Sequence, residues 1–514
     1  MSTGATLLRG SFFRTLELFV LLAATFFVTP LVVHSLGDRL YGFWTLVAAV
    51  VGYYGFLDIG LTAAAARFLS QALGKDDEAE LSAVAGTAFF LFALGGAAAA
   101  LATALSALAC PLFIADSAEA ALFQKLILVM GAAAALGFPS KVYSGLLTAG
   151  IRYDAVAAIS ISRTVLASAL IYLCLRQGRG VLALAWVSFA VSLLQYGATA
   201  AAAKALFPRV KIGLARFETA RLRAMLGYGS GIFVCQVGDI LRQRVDTLVI
   251  AGFLGASLVT PYIVGVRLID GFTLLVRGSV GMMMPVFSRY EGRGDYGAIR
   301  SALARVTKLS TVLSGFVGLS ILFYGRAFIL RWMGPGFESS YIVAAILCAA
   351  LIIALPQSPG VQLLLGVSKH RQYAALSLCE GVVNLALSVA LLRAYGLYGV
   401  ALGTLASTAL FKLLVQPLLI CRAVSFPVRS YLVDSMLAPL LKTIAPLAAY
   451  FWLIGRFVAP DYSVLAACVA AQTVLFVPFA CFLILDAEER GAIAGALRAA
   501  APRGVRLWPA SARD

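Results

Sequence analysis

The amino-acid sequence predicts an all-α protein that crosses a membrane about fourteen times. Hydrophobic residues make up 61% of the 514 residues and charged residues only 13%, and the mean hydropathy of +0.93 is far above that of a soluble domain. A membrane helix needs about 20 apolar residues, and the short polar breaks leave room for about fourteen such spans. The long apolar runs lack the alternation, over segments of about ten residues, that is typical of transmembrane β-barrels.

The order of the spans predicts two pseudo-symmetric lobes of six helices. The exits from the first and seventh spans each contain a Leu-Gly pair, at Leu36 and Leu254, which is compatible with an internal repeat. A basic stretch separates the two sets of six spans. The predicted organisation is a first lobe in residues 1–203, a linker in 204–226, a second lobe in 227–422, two helices in 423–486 and a basic tail in 487–514.

Basic residues concentrate on one side of the predicted membrane topology. With a cytoplasmic N-terminus, roughly 23 Lys and Arg fall on the cytoplasmic side and roughly 7 on the other, and this positive-inside bias predicts that both termini are cytoplasmic. Topology therefore explains the net charge of +17, and we expect no nucleic-acid partner. The first span follows Arg9 and Arg14 directly and has no A-x-A-like exit, so we expect it to remain as a membrane anchor.

Neither metal chemistry nor an enzyme is predicted. The eight cysteines form no C-x-x-C pair, and the two histidines, His34 and His370, are far apart, so we expect no disulfide, metal centre or cofactor. No connection is longer than about twenty-five residues, and none alternates strands and helices as a folded external domain does. A membrane-embedded sugar polymerase would carry a sizeable external loop, whereas the predicted outward connections are short.

Charged residues within the seventh and eighth spans, residues 227–289, are the strongest functional signal. An ionised side chain at the centre of a lone membrane helix costs roughly 3 kcal/mol, so these residues are expected to face a protein interior or a water-filled cavity. On the seventh span, Asp239 and Asp246 share a polar face with Arg242 beside it. Arg242 can pair with either acid within the helix. Arg244, on the other flank, has no obvious local acid and is the better candidate for a ligand contact.

The eighth span carries Arg267, Asp270 and Arg277 on one helical face. One acid cannot neutralise two arginines, and lipid would not tolerate such a face, so the two spans together predict a solvated cationic cavity. The alternative is that these residues form salt bridges that hold the two lobes together. Arginine offers bidentate donors to phosphate. Several arginines among many small residues favour a large amphiphile with a phosphate-bearing head over a small anion.

Three charged positions outside these spans complete the candidates. Asp58 and Arg163 are deep in their spans, and each is expected either to face a cavity or to pack inside the bundle. Glu380 and Asn384 form an i, i+4 pair that is either an ion site or a helix-packing contact. The candidate substrate contacts are Arg242, Arg244, Arg267, Arg277 and Arg163. The candidate ion-coupling or salt-bridge acids are Asp58, Asp239, Asp246, Asp270 and Glu380.

Four stretches spread over most of the chain share the motifs of one family. They are TPLVVHSLGDRLYGFWTLVAAVVGYYGFLDIGLTAAAARFLSQ, RVDTLVIAGFLGASLVTPYIVGVRL, MMMPVFSRY and FILRWMGPGF. Together they resemble the polysaccharide transport branch of the multidrug/oligosaccharidyl-lipid/polysaccharide (MOP) exporter superfamily, the O-antigen and exopolysaccharide flippases. The resemblance extends over nearly the whole chain.

The resemblance implies a V-shaped pair of six-helix lobes that alternates between inward- and outward-open states. It implies a flippase that moves an undecaprenyl-diphosphate-linked oligosaccharide to the outer leaflet of the bacterial cytoplasmic membrane, for O-antigen, capsule or exopolysaccharide synthesis. The cationic cavity would hold the diphosphate and sugar while the lipid tail stays among membrane lipids along the last two helices. The implied partners also include a coupling proton or sodium ion and polysaccharide polymerase machinery.

Two other functions stay open at the level of the sequence. A cation-coupled drug or metabolite antiporter of the same fold would use Asp58, Asp239 or Asp270 to exchange a cation, but the arginine surplus disfavours it. A membrane glycosyltransferase or polymerase is disfavoured by the short loops and by the lack of a paired-carboxylate motif.

Overall fold

The computed structural model describes most of the chain. The described residues are 3–58, 60–74, 77–113, 116–213, 216–280, 283–367, 369–455, 458–459, 461–486 and 490. Within several helices, mainly α7, the backbone is described but some side chains are not.

The described residues form α-helices joined by 3₁₀ or π-helical stretches and short turns, and none of them lies in a β-strand. The α-helices are α1 Thr3–Gly52, α2 Leu61–Gly74, α3 Glu78–Phe113, α4 Ser117–Ala149, α5 Tyr153–Arg176, α6 Val181–Leu206, α7 Thr219–Leu254, α8 Val259–Val280, α9 Met283–Gly292, α10 Tyr296–Trp332, α11 Glu338–Ala354, α12 Ser358–Gly366, α13 His370–Tyr395, α14 Leu397–Leu410, α15 Gln416–Val424, α16 Ala438–Ile454 and α17 Tyr462–Phe479.

The number of membrane spans agrees with the prediction of about fourteen. Within the described part of the chain, twelve helical stretches are long and apolar enough to cross a membrane, and Val245–Leu254 is a shorter apolar helix. One of the twelve, Leu16–Asp58, contains most of the first predicted span, residues 12–35, and most of the second, residues 41–69. Gly37 separates these two parts with a φ of 76°, a value that glycine adopts without strain.

Two predicted spans are broken by tighter turns. The second predicted span, residues 41–69, contains the 3₁₀ turn Tyr53–Asp58 between α1 and α2. The tenth contains the 3₁₀ turn Leu355–Gln357 between α11 and α12, where Pro356 removes a backbone donor. Pro356 and Pro359 in the sequence predict this interruption of the tenth span, which is expected at residues 339–365.

The first compact unit comprises Met1–Gly271, Gly336–Leu347 and Lys369–Phe411. One hydrophobic core of this unit lies mainly between α2, α3 and α4, and small residues let the helix backbones approach closely there, as is typical of membrane helices. A Cβ added to Gly96 on α3 would lie 2.8 Å from the carbonyl oxygen of Ala135 on α4.

The start of α8 packs against α1 within this first unit. The Thr260 hydroxyl donates to the carbonyl oxygen of Asp38 at 2.6 Å. Gly42 leaves room for the carbonyl group of Ala256, which a side chain at that position would overlap. These contacts bring the charged face of α8 close to the second predicted span.

The second compact unit comprises Phe272–Pro335, Cys348–Ser368 and Lys412–Asp514. Aromatic pairs join α10 to the two last long helices. Phe323 stacks on Phe451 of α16 with ring centroids 4.2 Å apart, and Phe316 stacks on Phe476 of α17 at 4.9 Å. Such pairs add about 0.5–1.5 kcal/mol each beyond the area that they bury.

Candidate functional site

Asp58 and Lys141 form an ion pair inside the first unit. The Lys141 ammonium lies 2.6 Å from Oδ2 of Asp58. The same carboxylate accepts hydrogen bonds from the Thr62 amide at 2.8 Å and from the Thr62 hydroxyl at 2.6 Å. Asp58 therefore caps the start of α2 while it neutralises a lysine of α4. With 7% of its surface exposed, the carboxylate depends on these partners to offset its desolvation.

Lys141 connects this ion pair to a cavity of about 410 Å³. Its ammonium lies 4.3 Å from the ring centroid of Phe138, on the same helix, which adds a cation–π contact. Helices α1, α4, α5 and α6 and the 3₁₀ turn Tyr53–Asp58 surround the cavity. The lining residues are Glu17, Val51, Tyr54, Gly55, Ala134, Gly137, Phe138, Ser140, Lys141, Ser144, Val156, Ile159, Ser160, Gln195, Tyr196 and Thr199.

Gly137 on α4 leaves room for Tyr196, a residue of α6 that lines the cavity. Tyr196 crosses α4 at Gly137, where an added Cβ would be 2.5 Å from the tyrosine hydroxyl. That hydroxyl donates to the carbonyl oxygen of Ala133 at 3.1 Å. Arg163, which is exposed on α5, interacts electrostatically with Tyr196. The predicted substrate contact Arg163 thus lies next to a residue that lines the cavity.

Asp246 is the centre of a second polar cluster in the first unit, built by α7, α8, α13 and α14. The Tyr262 hydroxyl donates to Oδ2 of Asp246 at 2.5 Å, and the Thr404 hydroxyl lies 3.2 Å from the same oxygen. Oδ1 of Asn384 lies 3.2 Å from the Thr404 hydroxyl and 3.2 Å from the Ser388 hydroxyl. Four helices therefore meet around a buried carboxylate.

Acceptor oxygens outnumber hydroxyl protons in this cluster. The Thr404 hydroxyl has one proton but lies within reach of Asp246, of Asn384 and of the Val400 carbonyl oxygen, the last at 3.4 Å. The Ser388 hydroxyl is likewise shared between Asn384 and the Val400 carbonyl oxygen, at 3.2 and 3.3 Å. An excess of oxygen acceptors is the environment that a hard cation prefers.

Glu380 adds a second carboxylate to the same helix as Asn384. Both side chains are 1% exposed, and they are one helical turn apart on α13. Helices α13 and α14 are in close contact near this pair. A Cβ added to Gly403 on α14 would lie 2.5 Å from the Ser388 amide nitrogen on α13. The predicted Glu380–Asn384 pair therefore lies on the helix that supplies two members of the Asp246 cluster.

Arg267 and Asp270 pair with each other on α8. The Arg267 guanidinium lies 3.6 Å from Oδ2 of Asp270, and their side chains are 45% and 56% exposed. Arg267 also interacts with the hydroxyl of Tyr41 on α1. Such an exposed pair is held weakly, so a stronger anionic ligand can displace Asp270 from Arg267. Arg277 is exposed on the part of α8 that belongs to the second unit.

Most side chains of the polar face predicted for the seventh span are not described. The backbone of α7 is helical through Asp239, Arg242 and Arg244, but the side chains of these residues are not described. Their roles, and the pairing of Arg242 with Asp239 or Asp246, stay predictions. Among the ion pairs between described residues, none involves Asp246.

The described residues contain no group of three or more His, Cys, Asp or Glu side chains that could hold a metal ion. The acceptor groups around Asp246 are mainly hydroxyl, amide and carbonyl oxygens, which suit an alkali cation better than a transition metal.

Sequence reasoning missed several residues of the two sites. Gln195 and Tyr196 on the cavity wall, and Tyr262 and Thr404 beside Asp246, are polar residues of apolar helices and were not singled out. Their sequence signal is weak because hydroxyl and amide groups are common in membrane helices, where they hydrogen-bond between helices.

Comparisons with known proteins place the chain in a family. A sequence model of the family described as polysaccharide biosynthesis protein matches residues 41–342. The chain is 22% identical over 495 residues to the uncharacterized membrane protein EpsK of Bacillus subtilis (strain 168), and the alignment covers 90% of this chain and 92% of that protein.

Solved structures of MOP-superfamily transporters share the fold. The lipid II flippase MurJ in an inward closed conformation has a TM-score of 0.66 at 14% identity, and the match covers 91% of this chain and 98% of that one. An inward-facing multidrug resistance MATE family transporter has a TM-score of 0.65 at 16% identity, covering 80% and 94%. At this level of identity the similarity concerns the fold alone. Because the family model covers more than half of the sequence, the chain belongs to the polysaccharide biosynthesis protein family, and it has the fold of MOP-superfamily transporters.

Proposed function

We propose that this protein is a flippase that carries a polyprenyl-diphosphate-linked oligosaccharide from the cytoplasmic to the outer leaflet by alternating access. Membership of the polysaccharide biosynthesis protein family is the observation that carries the proposal. The similarity of fold to a lipid II flippase supports it. The product would serve O-antigen, capsule or exopolysaccharide synthesis.

The membrane setting follows from the same proposal. The protein is a multi-pass membrane protein. The positive-inside bias of the loops supports a cytoplasmic position for both termini, and the proposed substrate is made in the bacterial cytoplasmic membrane. Polysaccharide polymerase machinery would take up the translocated product.

Arginines supply the proposed contacts to the diphosphate. Guanidinium groups stay charged and bind phosphate oxygens in pairs. Arg163 and Arg267 are exposed on α5 and α8 of the first unit, and Arg267 has only the exposed Asp270 as its ion-pair partner among described residues. The undecaprenyl tail, being apolar, would remain in lipid. Arg242, Arg244 and Arg277 complete the proposed set.

The cluster around Asp246 is the proposed site of the coupling cation. Its excess of acceptor oxygens and its burial support binding of a sodium ion or a proton. Asp58 is a weaker candidate, since one of its oxygens already contacts an ammonium and a hydroxyl at 2.6 Å each. Asp239, Asp270 and Glu380 stay proposed coupling or salt-bridge acids.

A complementation assay tests the proposed substrate contacts. Neutralising Arg244 and Arg277 together with glutamine is expected to abolish surface polysaccharide in a strain that lacks this protein, while membrane levels stay normal. The matched control is Arg209→Gln, an exposed arginine paired with Glu78 outside both sites. Full polysaccharide in the double variant would contradict the role of the two arginines.

A cation-coupled antiporter of the same fold is the second candidate. The similarity to a multidrug resistance MATE family transporter and the Glu17 carboxylate on the cavity wall favour it. Ethidium efflux from cells that express the protein, lost on substitution Glu17→Gln, would support this function over a flippase.

A further inference from the structure

The charged side chains that line the 410 Å³ cavity, Lys141 and Glu17, are one cation and one anion. Lys141 is its cation, and Asp58 lies 2.6 Å from the ammonium. Glu17 adds an acceptor-only carboxylate to the wall. A phosphate group would meet one lysine that is already neutralised and one repelling carboxylate. The cavity is therefore unsuited to the diphosphate, for which the exposed arginines are the better ligands.

Several polar groups on the cavity wall have no partner among the described residues. The side chains of Gln195, Ser144, Ser160 and Glu17 form no hydrogen bond with any described residue. They provide an amide that donates and accepts, two hydroxyls that do both, and a carboxylate that accepts. A ligand that satisfies them must itself carry several groups that both donate and accept, as sugar hydroxyls do.

Aromatic rings form the other part of the wall. The hydroxyl of Tyr54 lies 2.8 Å from the Thr103 hydroxyl, and Tyr196 is fixed by the Ala133 carbonyl group and by the space at Gly137. Both tyrosines thus have set positions before a ligand enters. Rings such as these present an apolar face with a polar edge, which matches a pyranose with its apolar C–H faces and its rim of hydroxyls.

We propose that this cavity is a glycan subsite, which binds uncharged sugar residues of the lipid-linked oligosaccharide separately from the arginines that bind its diphosphate. The inference rests on the proposed flippase function and deepens it. It divides substrate recognition between a polar, nearly neutral cavity of α1, α4, α5 and α6 and arginines outside its lining, of which Arg163 interacts with Tyr196 on the cavity wall. Its volume is within the range of about 300–1,000 Å³ typical of small-molecule sites.

Native mass spectrometry of the purified full chain tests this division. The probes are undecaprenyl diphosphate and the lipid-linked oligosaccharide isolated from cells in which this gene has been deleted, where the precursor accumulates. Ser160→Phe fills the cavity without removing a hydrogen bond between described residues. The matched control is Ser162→Phe, the same change two residues further along α5 at an exposed position that does not line the cavity.

The expected result is a loss of sugar recognition alone. Ser160→Phe should weaken binding of the lipid-linked oligosaccharide about tenfold or more, to the level of bare undecaprenyl diphosphate. Binding of the bare lipid should not change, and Ser162→Phe should bind both probes as the wild type does. Gln195→Ala, which creates space instead of filling it, should weaken oligosaccharide binding about three- to tenfold, as expected for one lost hydrogen bond.

Three other outcomes would overturn the inference. Unchanged oligosaccharide binding by both cavity variants would place the sugar elsewhere and leave the flippase proposal intact. Absence of binding of both lipids by the wild-type protein would contradict the flippase proposal itself. Binding of tetraphenylphosphonium that is lost in Glu17→Gln, with no discrimination between the two lipids, would identify a cation site instead.

Discussion

At the scale of single residues, the carboxylate of Asp58 has two functions. It neutralises Lys141 and caps α2 through Thr62. The lysine side chain is 32% exposed, so solvent reduces the cost of leaving it without its partner. Removal of one partner is therefore expected to destabilise the fold more than it would in a surface pair and less than in a fully buried pair.

The substitution Asp58→Asn tests this estimate. Because it leaves Lys141 without its counter-ion, we expect it to lower the free energy of unfolding by about 1–3 kcal/mol, measured by thermal unfolding in detergent. The double variant Asp58→Asn with Lys141→Met should recover part of the loss. Glu78→Gln, which breaks the exposed pair with Arg209, should change stability by less than about 1 kcal/mol.

The Asp246 cluster predicts a cation-dependent stability. A bound ion raises the stability of the folded state, by about 2.7 kcal/mol at a hundred times its dissociation constant. We expect the melting temperature to rise when sodium replaces choline. If the cation is a proton, the melting temperature should rise when the pH is lowered, because the proton concentration then increases. Asp246→Asn should remove this dependence because it removes the charge that attracts the ion.

A loop carboxylate provides the control for this measurement. Asp461, in the second unit, caps α17 through Ser463 and forms no hydrogen bond with any residue of the cluster, so Asp461→Asn should retain the cation effect. A cation effect that persists unchanged in Asp246→Asn would exclude the cluster as the ion site.

At the scale of elements, glycines control how closely the helices of the first unit approach. A Cβ on Gly96 would meet the backbone oxygen of Ala135 at 2.8 Å, whereas a Cβ on Gly197 of α6 would meet nothing within 4 Å. Backbone cannot move aside as a flexible side chain can. The two positions therefore respond in opposite ways to the same substitution.

Alanine substitution at these two glycines tests the packing of α3 on α4. Gly96→Ala should destabilise the protein by about 1–3 kcal/mol because the helices must separate. Gly197→Ala should be neutral or stabilising by up to about 1 kcal/mol, since alanine is the better helix former. Thermal unfolding of both variants measures the difference. Equal stabilities would contradict the close contact.

The elements were largely predictable from the sequence, whereas the sites were not. Long apolar runs indicate membrane helices by length and hydropathy alone, and Pro356 and Pro359 indicated the break in the tenth span. The ion pair of Asp58 with Lys141 joins residues 83 positions apart. The contact of Asp246 with Thr404 joins residues 158 apart. Such contacts depend on which helices pack together, which helical periodicity does not specify.

At the scale of the whole molecule, the distribution of basic residues predicts the topology. The 26 residues of α6 span about 39 Å, enough to cross a bilayer. The turn Gln177–Gly180 before α6 and the stretch Phe207–Glu218 after it should therefore lie on opposite sides. Alkaline phosphatase fused after Gln177 should be active and fused after Phe207 inactive. The reverse pattern would contradict the positive-inside assignment.

The division into two six-helix lobes stays a prediction at this scale. Family membership places the chain among polysaccharide biosynthesis proteins, and its fold is that of MOP-superfamily transporters. The two compact units divide α8 and α11 within their lengths. No periodicity in the sequence indicated these divisions, since a helix that passes from one unit to the other has the same local pattern throughout.

Translocation of the lipid-linked oligosaccharide by purified protein in vesicles is the most direct test of the central claim. Membrane-impermeant periodate, added outside, oxidises only sugars that reach the outer leaflet. With the protein and a cation gradient present, we predict that the sugars of both leaflets become oxidised, while Asp246→Asn and protein-free vesicles expose one leaflet only. Oxidation confined to one leaflet in the presence of active, correctly inserted wild-type protein would contradict the flippase function.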